Sequence, residues 1–148
     1  MTNAETADRL VRRRARMMPA LAGMFIAQQA VYFTGTRMDE GTRLVNYVAI
    51  GGYLALSVVL LVGLATGGGW LKSAGVRALA NDESTRANRA EAFRLGFLAT
   101  MIASLALYVL SLFEPLGARE AIHILMAAGI ATALLRFGLL ERRALRDA

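Results

Sequence analysis

Four stretches without a single charged side chain decide what this chain can fold into. They run from Met17 to Thr34, Leu44 to Leu71, Leu95 to Phe113 and Ala121 to Leu135. About 20 apolar residues rising 1.5 Å each cross a bilayer core of roughly 30 Å. The runs therefore predict helical spans near residues 17–34, 44–66, 92–113 and 120–140. The competing reading is a set of core helices in a soluble bundle, but such helices keep a polar face opposite the apolar stripe. Ala55 to Val62, Ala-Leu-Ser-Val-Val-Leu-Leu-Val, has no such face. Composition agrees: 56% of residues are hydrophobic and 19% charged, against about 45–50% and 25% in ordinary soluble domains. The expectation is an all-α, integral membrane four-helix bundle built from two helical hairpins, one domain over residues 1–148.

Arg and Lys set the orientation of such a bundle. Fourteen of the 17 fall in the N-terminal segment (Arg9 to Arg16), the middle loop with the start of the third span (Lys72 to Arg94), and the C-terminal end (Arg136 to Arg146). Only Arg37, Arg43 and Arg119 lie in the other two loops. Both termini and the loop 67–91 are expected on the cytoplasmic side of a bacterial inner membrane. The net charge of +6 is then mainly a topology signal. Its spread along membrane-proximal segments argues against a nucleic-acid patch, so no direct nucleic-acid binding is expected. The basic N-terminus followed by an apolar run reads as an uncleaved signal anchor rather than a cleaved signal peptide.

Local chemistry marks the span ends. Pro19 is expected in the first turn of the first span, where its missing N–H costs nothing. Gly35 and Gly67-Gly68-Gly69 read as helix stops, and Glu114-Pro115 as the end of the third span. Trp70 reads as an interfacial anchor. The pattern of basic segment, span, outer loop and span occurs twice, over residues 9–66 and 86–143, and two plain hairpins explain it better than a duplication.

Polar groups inside the spans are few. The ones of functional interest are Gln28, Gln29, Ser104, Tyr108, His123 and Arg136. No Asp or Glu lies in the interior of a span, which counts against proton-coupled transport. It also separates the chain from small multidrug-resistance exporters, which carry a glutamate in the first span where this one has Gln28 and Gln29. Those two glutamines suit an interhelical hydrogen bond or a substrate contact. His123 is the only histidine, and without cysteine no metal-ligand spacing results. Arg136 reads as an anchor that snorkels to the cytoplasmic interface. Small residues at i and i+4, among them Ala99 and Ala103, Thr100 and Ser104, and Gly129 and Ala133, suit close helix packing or a homodimer. No catalytic constellation is present, so neither an enzyme nor a cofactor is expected. Gly67 to Ser73 is not a phosphate loop, because Gly does not directly precede Lys72 and no strand leads into it.

The loop 67–91 is the most polar part of the chain. Trp70, Leu71, Val76 and Leu79, with Lys72 and Arg77 between them, suit a short helix lying on the membrane surface. Asn81 or Asp82 can then cap a new helix, with Asp82 and Arg86 placed to pair at i,i+4. The run Asn81-Asp82-Glu83-x-Thr85-Arg86-x-Asn88-Arg89 resembles a loose group of small bacterial four-span membrane proteins. These carry an Asp-Glu-x-Thr type motif before the third span, and some are encoded beside a small helix-turn-helix regulator. The resemblance implies a non-enzymatic membrane protein that holds a cytoplasmic regulator at the bilayer. Asp82, Glu83, Thr85, Arg86, Asn88 and Arg89 are then the expected partner-binding residues. A small transporter or channel, with a path past Gln28, Gln29, Ser104 and Tyr108, is the alternative.

Overall fold

The computed structural model describes residues 2–35, 43–69 and 73–147, with side chains omitted at 32, 34, 35, 43–47 and 49. Trp70, Leu71, Lys72 and Arg37 lie outside the described residues. Among the described residues there are five helices and no strand: α1 Asn3–Gly35, α2 Arg43–Ala65, α3 Ala74–Ala80, α4 Glu83–Ser111 and α5 Ala118–Asp147. Two of them, α4 and α5, are long and apolar enough to cross a membrane.

The long helices overshoot the charge-free runs on the basic side. α1 begins at Asn3, so Pro19 is an interior residue and not a first-turn one. Interior proline strips the carbonyl four residues earlier of its partner and crowds it. Here that carbonyl, Ala15 O, accepts from Arg142 Nε of α5 at 2.8 Å. The proline ring itself lies on Gly138, where a Cβ would come within 2.5 Å of Pro19 Cδ. The interior proline is thus satisfied from outside its own helix.

The glycine stop after α2 is a Schellman motif. Gly68 N donates to Gly63 O at 2.6 Å and Gly67 N to Leu64 O at 3.2 Å. Gly67 and Gly68 have φ of 64° and 71°, values that L side chains adopt at a cost. The short helix α3 forms as expected, but it does not lay its apolar side outward. Val76 and Ala80 are buried against Ala7, Leu10 and Val11 of α1, while Leu79 is exposed. Asp82, rather than Asn81, caps α4 by accepting from Thr85 N at 2.8 Å.

α5 is the central helix. It packs along α4 on one side and α1 on the other, and α2 leans on it. The core is built from Met18, Ala22, Phe25, Leu60, Leu64, Ala92, Ile130, Leu134 and Phe137. The second expected hairpin, α4 with α5, is present. In the first, α1 touches α2 at Phe25–Tyr53 and the α2 terminus at Arg14–Gly67, but among the described residues its principal neighbour is α5. The reason is side-chain size. At Gly96, a Cβ would meet Gly129 O at 2.8 Å and Ala133 Cβ at 2.9 Å. Small residues let α4 and α5 approach to backbone contact, and Gly138 does the same for α1 and α5. The small residues Gly96, Gly129 and Ala133 are therefore used within one chain, whereas Gly23, Gly51 and Gly52 have nothing packed on them among the described residues.

Gly96→Leu should force α4 and α5 apart and destabilise the protein by about 2 kcal/mol, a typical cost of overpacking. Ala106→Leu, on the exposed side of α4, should change little. Thermal unfolding in mild detergent compares the two.

Candidate functional site

The apolar face of α1 recurs at Ala7, Val11, Met18, Ala22 and Phe25, and Arg14 falls on the same face. Its residue is 2% exposed. The guanidinium is wrapped by four segments. Nη1 donates to Gly67 O at 3.2 Å and Asn81 Oδ1 at 3.3 Å. Nη2 donates to Ala80 O at 3.2 Å, to Thr85 Oγ1 at 3.0 Å and to Glu141 Oε2. The ring of Phe137 lies beneath it, with Cζ 5.3 Å from the centroid, which adds a cation–π contact. Glu141 is equally buried, and its other oxygen accepts from Asn88 Nδ2 at 3.1 Å. One ion pair thus joins α1, the α2 terminus, the α3–α4 corner and α5.

Space at this knot is fully used. A Cβ at Gly67 would come within 2.6 Å of Asn81 Oδ1 and 2.9 Å of Arg14 Nη1. Gly67 therefore serves twice, by its positive φ and by its missing side chain. Taking two charges out of water is expensive, and their attraction repays it only with good geometry and further hydrogen bonds. Here Asn81, Thr85, Asn88 and two backbone carbonyls supply those bonds.

A second polar group closes the other end of the α1–α5 seam. Gln29 Oε1 lies 3.2 Å from His123 Nδ1, and both residues are buried. The His123 ring stacks on Tyr53 of α2 at 4.0 Å, and Tyr53 stacks on Phe25 at 5.8 Å. Tyr53 Oη and Gln29 Nε2 have no hydrogen-bond partner among the described residues.

The expected intramembrane polar residues are only partly brought together. Gln29 meets His123, while Gln28 is half-buried beside it in sequence. Ser104 Oγ returns to Thr100 O of its own helix at 2.8 Å, and Tyr108 is 67% exposed on α4. Arg136 pairs with Glu91 of α4 at 3.5 Å, bridging two helices. Among the described residues these groups do not share one cavity. The two apolar grooves beside α2, of about 350 and 370 Å³, are lined by none of them.

The loop residues divide between inside and outside. Thr85 is buried on Arg14 and Asn88 turns to Glu141. Asp82, Glu83 and Arg86 are exposed, and Arg89 is half-buried with its guanidinium near Gly67. The expected Asp82–Arg86 pair does not form, and Arg86 Nε donates to Asn81 O at 3.3 Å instead. Arg14, Glu141 and Arg142 are the residues that sequence spacing missed. Their signal was available: Arg14 and Glu141 each continue an apolar helical stripe at the register where a hydrophobic side chain belongs.

The Thr85 backbone N–H holds the Asp82 carboxyl below the ordinary carboxylate range, helped by the Thr85 and Ser84 hydroxyls and by Arg14, and opposed by burial. Comparison with family models, with curated proteins and with solved structures found no match.

Removing one partner of the knot strands the other charge in the core, which typically costs about 3–5 kcal/mol. Arg14→Met or Glu141→Leu alone should each destabilise by that order. The double variant should recover most of the loss, and unfolding in mild detergent measures all three. Lys at position 14 should not rescue, because one ammonium cannot fork to five acceptors.

Asp82 has a folded pKa below its unfolded value of about 3.9. Its stabilisation is complete above the unfolded value and is lost as pH falls through the folded one. Asp82→Asn keeps the cap acceptor without titrating, so its stability should lack this acid step. Asp82→Ala should cost about 1 kcal/mol at neutral pH. Helicity followed by circular dichroism from pH 7 to pH 2 checks both.

Proposed function

We propose that the chain is a non-enzymatic regulatory protein of a bacterial inner membrane whose cytoplasmic corner, α3 with the start of α4, docks a protein partner. The observation that carries this reading is a depression of about 210 Å³ directly over the Arg14–Glu141 knot. Leu79, Asp82 and Ser84 form one wall, and Ala144 and Leu145 of α5 the other. Its floor is held by the buried ion pair, so the surface is preorganised and a partner need not order it first. Leu79, Glu83 and Arg86 are exposed around it and offer one apolar and two charged contacts.

The membrane part of the proposal has four spans with both termini inside. It draws on the four charge-free runs, each falling largely on its own long helix, and on the grouping of basic residues in the sequence. The resemblance at Asp82 to Arg89 suggests the partner's class, a small DNA-binding regulator kept from DNA by being held at the bilayer. A homodimer stays in the proposal through a surface the chain does not use itself, the exposed stripe Phe97, Ile102 and Leu105 on α4. The transport reading draws on the Gln29–His123 pair alone, since Ser104 and Tyr108 sit apart from it.

Isolation in mild detergent with mass spectrometry of bound proteins tests the docking reading. The triple variant Leu79→Ser, Glu83→Ala, Arg86→Ala should lose a bound DNA-binding protein while melting within about 3 °C of the parent, because its sites are exposed. An unchanged set of bound proteins would sink the proposal.

A further inference from the structure

α1 and α5 separate below the Arg14–Glu141 knot, on the side away from α4, and leave a cleft of about 760 Å³. Four arginines line it: Arg12 and Arg16 from α1, and Arg142 and Arg146 from α5. Each pair is spaced i and i+4, so each puts two guanidinium groups on one face. The one acid in the cleft, Asp8, pairs with Arg12 at 3.1 Å. Three arginines remain without an ion pair among the described residues.

We propose that this cleft binds the phosphate headgroup of an anionic phospholipid of the cytoplasmic leaflet. Depth favours a lipid over an acidic protein segment. Arg16 directly precedes the charge-free run that starts at Met17, and Arg142 lies two residues beyond the fourth expected span, which ends near residue 140. These side chains therefore stand where a spanning chain meets the headgroups, with Arg12 and Arg146 about one turn, or 6 Å, further out. Basic pockets between spans on the cytoplasmic side suit such headgroups. The cleft is also prepared before a ligand arrives. Arg142, which lines the cleft, is fixed by its Nε bond to Ala15 O, the carbonyl that Pro19 leaves unpaired. Ala15 and Leu145 give the cleft an apolar lining suited to glycerol and the first acyl carbons.

The inference rests on the membrane insertion proposed above and not on the docked partner. Protein purified in mild detergent is titrated with phosphatidylglycerol, phosphatidylcholine or inorganic phosphate, and bound lipid is counted by native mass spectrometry. Phosphatidylglycerol should be retained in preference to phosphatidylcholine. The double variant Arg16→Gln, Arg146→Gln should weaken that retention about twenty-fivefold, about fivefold for each arginine near an anionic surface. Arg16→Lys with Arg146→Lys should keep most of it, which separates charge loss from misfolding. Arg94→Gln, exposed at the same end of α4, should leave it unchanged.

Three results overturn the proposal: equal retention of both lipids, equal loss with Arg94→Gln, or saturation by inorganic phosphate with no further gain from lipid. Displacement of the lipid by an acidic peptide at equal concentration would reassign the cleft to a protein partner. Extraction of the chain from membranes by alkali is scored separately, because it would remove the insertion reading itself.

Discussion

The ion pair between Arg14 and Glu141 is the interaction on which the rest of the arrangement depends. Two buried charges can stay buried only while each is paired and hydrogen-bonded. That requirement brings Gly67, Ala80, Asn81, Thr85 and Asn88 to the same few ångströms. It explains the positive-φ glycine after α2, because any side chain there would displace Asn81 or Arg14. It explains why α3 folds back on α1 with Val76 inward. It also explains why α4 starts where it does, since its cap at Asp82 sets Thr85 on Arg14.

The seam between α1 and α5 then has a simple construction. An apolar middle, Met18 to Phe25 against Ile130 to Phe137, is closed by a charged pair at one end and by Gln29 with His123 at the other. Apolar packing alone permits a helix to slide by a turn. Two polar pairs at opposite ends do not, because a one-turn slip would leave both unpaired in a low-dielectric core. Pro19 on Gly138 adds a steric stop between them. The fixed seam holds the two surfaces at the knot end, the corner over the knot and the arginine cleft beside it.

Much of this was legible in the sequence where the signal was local. The charge-free runs located the long helices, Gly67 and Gly68 located the end of α2, and Asp82 was one of two candidates for the cap of α4. The pairing of helices was not legible, because it depends on which small residues meet. Gly96 with Gly129 and Pro19 with Gly138 are contacts between residues more than 30 and 110 positions apart. The Arg12-Arg13-Arg14 run illustrates the limit. Counted as charge, its three arginines are equivalent signs of orientation. Placed on a helix, Arg12 and Arg13 point outward and Arg14 enters the core.

Sequence by itself determined that the chain is helical and that two of its helices, α4 and α5, are long and apolar enough to cross a membrane. Those properties follow from composition and periodicity within single segments. Only the tertiary structure decided what the polar residues do. Thr85 and Asn88 belong to the interior, Glu83 and Arg86 to the surface, and Glu141 to Arg14 rather than to its near neighbour Arg136. The physical reason is distance: a buried charge is satisfied by whatever the packing of glycines and prolines brings within about 3 Å, and that packing is set by the whole fold.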